Sequence, residues 1–86
     1  MAEVKFPPYA LVQIEERGLS EAAVREAVES PDQVVRGKRG RKIAQKRMQQ
    51  ANREHLLRVI YEEAANQVTV VTAYKTSKVD KYWRRE

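Results

Sequence analysis

The sequence predicts an α+β domain: two N-terminal helices packed on a small antiparallel sheet of about four strands, followed by a short C-terminal tail. Two observations carry this. Residues 7–30 hold two short helical patterns punctuated by Pro7, Pro8, Gly18 and Pro31, and from Gln33 onward the apolar pattern changes from helical to alternating. The 86 residues read as one domain over 1–86, with a helical hairpin at 7–30, the sheet at 33–75 and a basic tail at 76–86.

Each element has a local reason. Pro7 and Pro8 suit a helix start, where a missing amide hydrogen is no loss, and Gly18 supplies the left-handed residue that ends a helix, so the first helix is expected at about 7–17. Ser20 caps the second, with Leu19 and Val24 as a hydrophobic staple and Val24, Ala27 and Val28 as its apolar stripe. Ser30-Pro31-Asp32 stops it, because the residue before a proline is disfavoured in the helical region. Strands are expected at about 33–36, 41–49, 56–62 and 68–75. The turns between them are Gly37-Lys38-Arg39-Gly40, the polar Gln50–Arg53 stretch and Ala65-Asn66. Val70 and Val71 mark a central strand, apolar on both faces. In the tail, Val79, Tyr82 and Trp83 are expected to fold back on the sheet.

Charge is segregated along the chain. Residues 1–35 carry three Lys/Arg and seven Asp/Glu, whereas residues 36–86 carry fourteen and five. Arg36, Lys38, Arg39, Arg41, Lys42, Lys46 and Arg47 form a run of cations without a carboxylate among them, a field that would concentrate a polyanion on one side of the molecule. Nucleic acid is the first partner this suggests. A solvated hairpin whose lysines protect an exposed strand edge is the bland alternative.

The absent residues limit the chemistry. There is no cysteine, one histidine (His55) and no Walker spacing of glycines, so thiolate metal sites, disulfides, a serine or cysteine triad and a phosphate-binding loop are not expected. No metal and no cofactor is expected. The N-terminus lacks an apolar signal core and no apolar stretch approaches about 18 residues, which predicts a soluble cytoplasmic protein that does not enter a membrane. What remains suits metal-free cleavage of RNA by its own 2′-hydroxyl, which needs only orientation, proton transfer and charge stabilisation on the phosphorane. Arg39, Arg41, Lys42, Lys46, Arg47, Arg58 and Lys75 are candidate charge stabilisers; Tyr74, Tyr82 and His55 are candidate acid, base or stacking groups. Arg58 stands out because it interrupts an apolar strand, where a guanidinium must reach an open face or a partner.

The segments ERGLS (16–20), SPDQVVRGKRGRKIAQKR (30–47), LLRVIYEE (56–63) and VTVVTAYKTSKVDKYW (68–83) resemble, in order and spacing, a small prokaryotic family of unknown function placed near the RelE, ParE and BrnT toxins. That resemblance implies a RelE-like fold. In RelE-type relatives a toxin cleaves messenger RNA, often within the ribosome, and an antitoxin neutralises it; ParE-type relatives poison gyrase instead. The positions whose character fits the toxin pattern are Arg41, Lys42, Lys46, Arg47, Arg58, Lys75 and Tyr82. Tyr9 and Gln13 stand where many members have a histidine and an arginine.

The resulting expectation is a toxin-type, metal-independent endoribonuclease acting on mRNA. Arg58, Lys75, Tyr82 and Lys46 would be its catalytic set, and Arg36, Lys38, Arg39, Arg41, Lys42 and Arg47 would dock the nucleic acid. Its partners would be RNA and an antitoxin, and its state a monomer or a toxin–antitoxin hetero-oligomer. The alternative is a non-catalytic module that binds RNA, DNA or an acidic protein.

Overall fold

The computed structural model describes residues 3–85. In chain order these form β1 (Glu3–Lys5), α1 (Pro8–Glu16), α2 (Glu21–Glu29), β2 (Gln33–Arg36), a 3-10 turn (Lys38–Gly40), β3 (Lys42–Gln50), β4 (Arg53–Ala64), β5 (Gln67–Thr76) and α3 (Val79–Tyr82). The strands make one sheet in the order β1-β5-β4-β3-β2.

This overturns the expected fold of two N-terminal helices on a four-stranded antiparallel sheet with a tail. A strand precedes the helices, and β1 lies parallel to the start of β5, so the sheet has five strands and is mixed. The physical reason is Val4. It sits opposite Val68 and is buried in the same core, which outweighs the weak strand signal of a three-residue segment flanked by charges. The C-terminal segment, expected as a short basic tail, contains the short helix α3, with Val79 buried.

The helix ends follow local chemistry. Beyond the C-cap of α1 at Arg17, Gly18 has φ +69, and two hydrogen bonds close the helix: Gly18 N–H to the Glu15 carbonyl at 3.0 Å and Leu19 N–H to the Ile14 carbonyl at 2.9 Å. That pair is a Schellman motif. The Ser20 hydroxyl oxygen accepts from the Ala23 amide at 3.0 Å and caps α2.

Both helices cover one face of the sheet. Ala10, Ile14, Val24 and Ala27 pack there against Ala44, Leu57, Val59, Tyr61, Val70 and Ala73. The β3–β4 and β4–β5 connections are two-residue turns. Past Lys5, β5 has no strand on its outer side among the described residues; Arg17 Nη1 covers part of that edge by donating to the Ala73 carbonyl and to Thr72 Oγ1, both at 2.9 Å.

Candidate nucleic-acid interface

Strand alternation assigns the cations to faces. Leu57, Val59 and Tyr61 belong to the helix-side core, so Leu56, Arg58, Ile60 and Glu62 point to the other face. Register extends this across the sheet. Gln45 and Tyr74 flank Arg58, Ile43 lies beside Ile60, and Arg47 lies beside Leu56. Lys46 and Lys75 flank Leu57, and Lys42 is opposite Tyr61, which places these three lysines on the helix side.

On the face away from α1 and α2 lies an open groove of about 640 Å³. Ile43, Ile60 and Val71 give it apolar walls, Lys38 and Arg41 stand among the residues that bound it, and Arg58 and Tyr74 also line it. Its volume is in the roughly 300–1,000 Å³ range of small-ligand sites.

Arg58 is the centre of this site. It is only 8% exposed, and among the described residues it makes no ion pair. Its charge is held by neutral groups. Nε donates to Gln45 Oε1 at 2.7 Å and Nη1 donates to the Tyr74 hydroxyl. The Tyr82 ring packs 4.2 Å from the guanidinium carbon, the Tyr74 ring lies 5.6 Å from it, and the two rings meet edge to face with centroids 6.3 Å apart. Nη2 donates to no protein atom among the described residues. The Tyr74 oxygen accepts from Arg58, which leaves its own hydrogen to donate. Two unused donors thus belong to groove residues beside an uncompensated buried charge, a combination that suits an oxyanion.

The other cations divide sharply. Arg41 Nε pairs with Glu62 Oε2 at 3.0 Å, Lys42 Nζ with Glu63 Oε1 at 2.7 Å and Arg47 Nε with Glu54 Oε2 at 3.2 Å. Hydrogen bonding to Glu63, together with its charge, raises the Lys42 pKa above its ordinary value of 10.5. Lys46 donates to the Ser30 carbonyl at 2.7 Å, at the C-terminal end of α2 where a cation complements the helix dipole. Lys75 donates to Gln50 Oε1. Arg36, Lys38 and Arg39 have no ion-pair partner among the described residues. Arg39 lies at the hairpin tip with φ 59, and Arg36, opposite Lys42 in the ladder, bounds the groove from the edge strand.

Within the run from 36 to 47, four of the seven cations are thus engaged with groups of the molecule itself. Of the four residues expected to form a catalytic set, Arg58 and Tyr82 come together, while Lys46 and Lys75 lie on the opposite face. His55 is on neither side of the groove; its Nδ1 lies 3.2 Å from the Arg53 carbonyl. Sequence reasoning missed Gln45 and Gln33, the polar pair behind Arg58. A glutamine in a strand of polar character gives no sign of being wholly buried, and only the β3–β4 register sets Gln45 opposite the guanidinium.

Among the described residues no helix is long and apolar enough to cross a membrane, and no group of three or more His, Asp or Glu is placed to hold a metal. No family model, curated protein or solved structure matches the chain.

Proposed function

We propose that the protein binds single-stranded RNA, holding a phosphodiester of the backbone in the groove over Arg58. The observation that supports this most directly is the Arg58 guanidinium, buried without a counter-ion among the described residues and bordering an open groove. An isolated buried charge is unfavourable, and a phosphate oxygen is the partner that would complete it. Lys38 adds long-range attraction, the apolar walls at Ile43, Ile60 and Val71 offer contact for a base or sugar, and the Tyr74 hydroxyl can donate to a phosphate or a 2′-hydroxyl.

The test is binding of a labelled single-stranded RNA by the full chain over a range of salt. Each phosphate contact contributes a log–log slope of about −0.7. Binding that weakens with salt, and weakens further in Arg58→Lys because a point charge cannot reproduce the forked guanidinium, supports the reading. Absence of binding at low salt removes it.

The second reading is a RelE-like endoribonuclease toxin restrained by an antitoxin. One observation favours it: Arg58 and the Tyr74 hydroxyl adjoin each other at the groove, where a phosphorane and a leaving oxygen would need charge and a proton. The nucleophile would be the substrate's own 2′-hydroxyl. Inducing the gene without its neighbour and mapping transcript ends separates the two readings. Growth arrest with cut transcripts, abolished by Arg58→Ala, marks the enzyme; salt-steep binding without cleavage marks the binding module.

A further inference from the structure

Five hydrogen bonds connect the C-terminal segment to Arg58, and each fixes the direction of the next. The Arg84 amide donates to Gln33 Oε1 at 2.9 Å, and Gln33 Nε2 donates back to the Arg84 carbonyl at 2.6 Å. The same Gln33 Oε1 accepts from Gln45 Nε2 at 2.8 Å, and that nitrogen also reaches the Tyr82 carbonyl at 3.3 Å. With its nitrogen committed to the tail, Gln45 presents its oxygen to Arg58 Nε. Reversing the Gln45 amide would set N–H groups against the guanidinium and an oxygen against two oxygens. Gln45 is fully buried, so water cannot repair such a reversal, and a lost partner leaves a buried polar group unsatisfied.

The same segment also touches Arg58 directly through the Tyr82 ring. Its own attachment is light. Val79 is its one buried residue, α3 has four residues, and Trp83 is held by stacking on Arg47 at 4.3 Å. A short element held by polar clamps belongs to the low-stability end of a fold, where opening is easiest.

We propose that Gln33 and Gln45 are positioning residues that couple docking of residues 79–85 to the aim of Arg58, so that the C-terminal segment is a strap whose release disarms the groove. The inference rests on the groove reading for its biological consequence: RNA that engages Arg58 holds the strap down, and a partner that captures the strap weakens RNA binding by the same factor.

Trp83 is the only tryptophan, so its fluorescence reports strap docking without a label. In Gln33→Ala we expect red-shifted Trp83 emission, hydrogen exchange at Arg58 Nε accelerated by about tenfold or more, and RNA affinity reduced at least several-fold. Gln33→Glu keeps the acceptor used by Arg84 and Gln45 and should recover much of the Arg58 protection, which a simple loss of packing would not. A strap released while Arg58 Nε–H keeps its wild-type exchange rate overturns the coupling. So does a strap that stays docked in Gln33→Ala. The exchange measurement needs no RNA, so a wild-type protein that fails to bind RNA removes the groove reading alone, and the coupling is still decided.

Discussion

Arg58 and Lys75 occupy opposite faces of the sheet, because the β4–β5 ladder sets Arg58 across from Tyr74 and Leu57 across from Lys75. A phosphate held by one is out of reach of the other. Arg58→Met should therefore reduce RNA affinity at least tenfold and flatten the salt dependence by about 0.7 in log–log slope, the equivalent of one lost contact. Lys75→Met should change affinity less than about twofold. Arg58→Met leaves the buried Gln45 Oε1 without its donor, a cost of about 1–3 kcal/mol, so affinity is read under conditions where the melt shows the variant folded. Anisotropy titrations and urea melts of both variants check this; equal losses in the two would mean that the strand faces do not separate binding from non-binding cations.

Glu62 restrains the groove. Its carboxylate is on the same sheet face as Arg58 and pairs with Arg41, one of the residues bounding the groove. Both partners are substantially exposed, so the pair itself contributes little to stability. Glu62→Gln should leave the melting temperature nearly unchanged, raise RNA affinity a few-fold at low salt and steepen the salt slope as Arg41 becomes available. The same titration with Glu63→Gln is the control, because Glu63 pairs with Lys42 on the helix side. An equal gain from both would indicate a general charge effect instead of a local one.

The β3–β4 turn carries a removable strain. Ala51 and Asn52 have φ values of 53 and 61, the left-handed conformation of a two-residue type I′ hairpin. Alanine pays about 1 kcal/mol there through its Cβ, and Asn-Gly is the pair this turn prefers. Ala51→Asn combined with Asn52→Gly should raise stability by about 1 kcal/mol, or roughly 4–8 °C in melting temperature for a domain of this size. A thermal melt decides it. An unchanged or lower midpoint would mean that the left-handed conformation at Ala51 stores no such strain.

The split between legible and illegible features has a common cause. Ser20, Gly18 and Pro31 punctuate the helices because caps and breakers act within a few residues, and the local pattern was sufficient to place α1, α2 and β2–β5 near their observed spans. The strand Glu3–Lys5 was not legible, since its partner is Gln67–Thr69 and only that distant ladder gives Val4 a place to be buried. Arg58 was singled out by contrast with its apolar neighbours. The pairing of the cationic run was not legible, because it depends on which carboxylates meet it across the sheet: Glu62, Glu63 and Glu54 lie on β4 and pair with Arg41, Lys42 and Arg47, which precede or lie on β3. Gln45 was invisible for the same reason, as its role exists only in the register.

Alkali should destabilise the protein through two neighbouring groups. Lys42 has a raised pKa through its hydrogen bond and charge interaction with Glu63; Tyr61 is raised above its ordinary 10.0 by burial and then by the Glu63 charge. For Lys42 the raised value means that its contribution is complete below 10.5 and is lost as pH climbs through the folded value. For Tyr61 the unfolded chain releases its proton first, so above pH 10.0 ionisation favours unfolding. Both signs agree: in this window the native state holds more protons than the unfolded state, and stability falls as pH rises. Urea midpoints at pH 9 and pH 11 should differ in that direction. Tyr61→Phe removes one of the two groups and should flatten the decline, whereas Tyr9→Phe, an exposed tyrosine on α1, should not. A decline of the same steepness in Tyr61→Phe would mean that Lys42 and its pairing with Glu63 carry the alkaline response without the buried phenol.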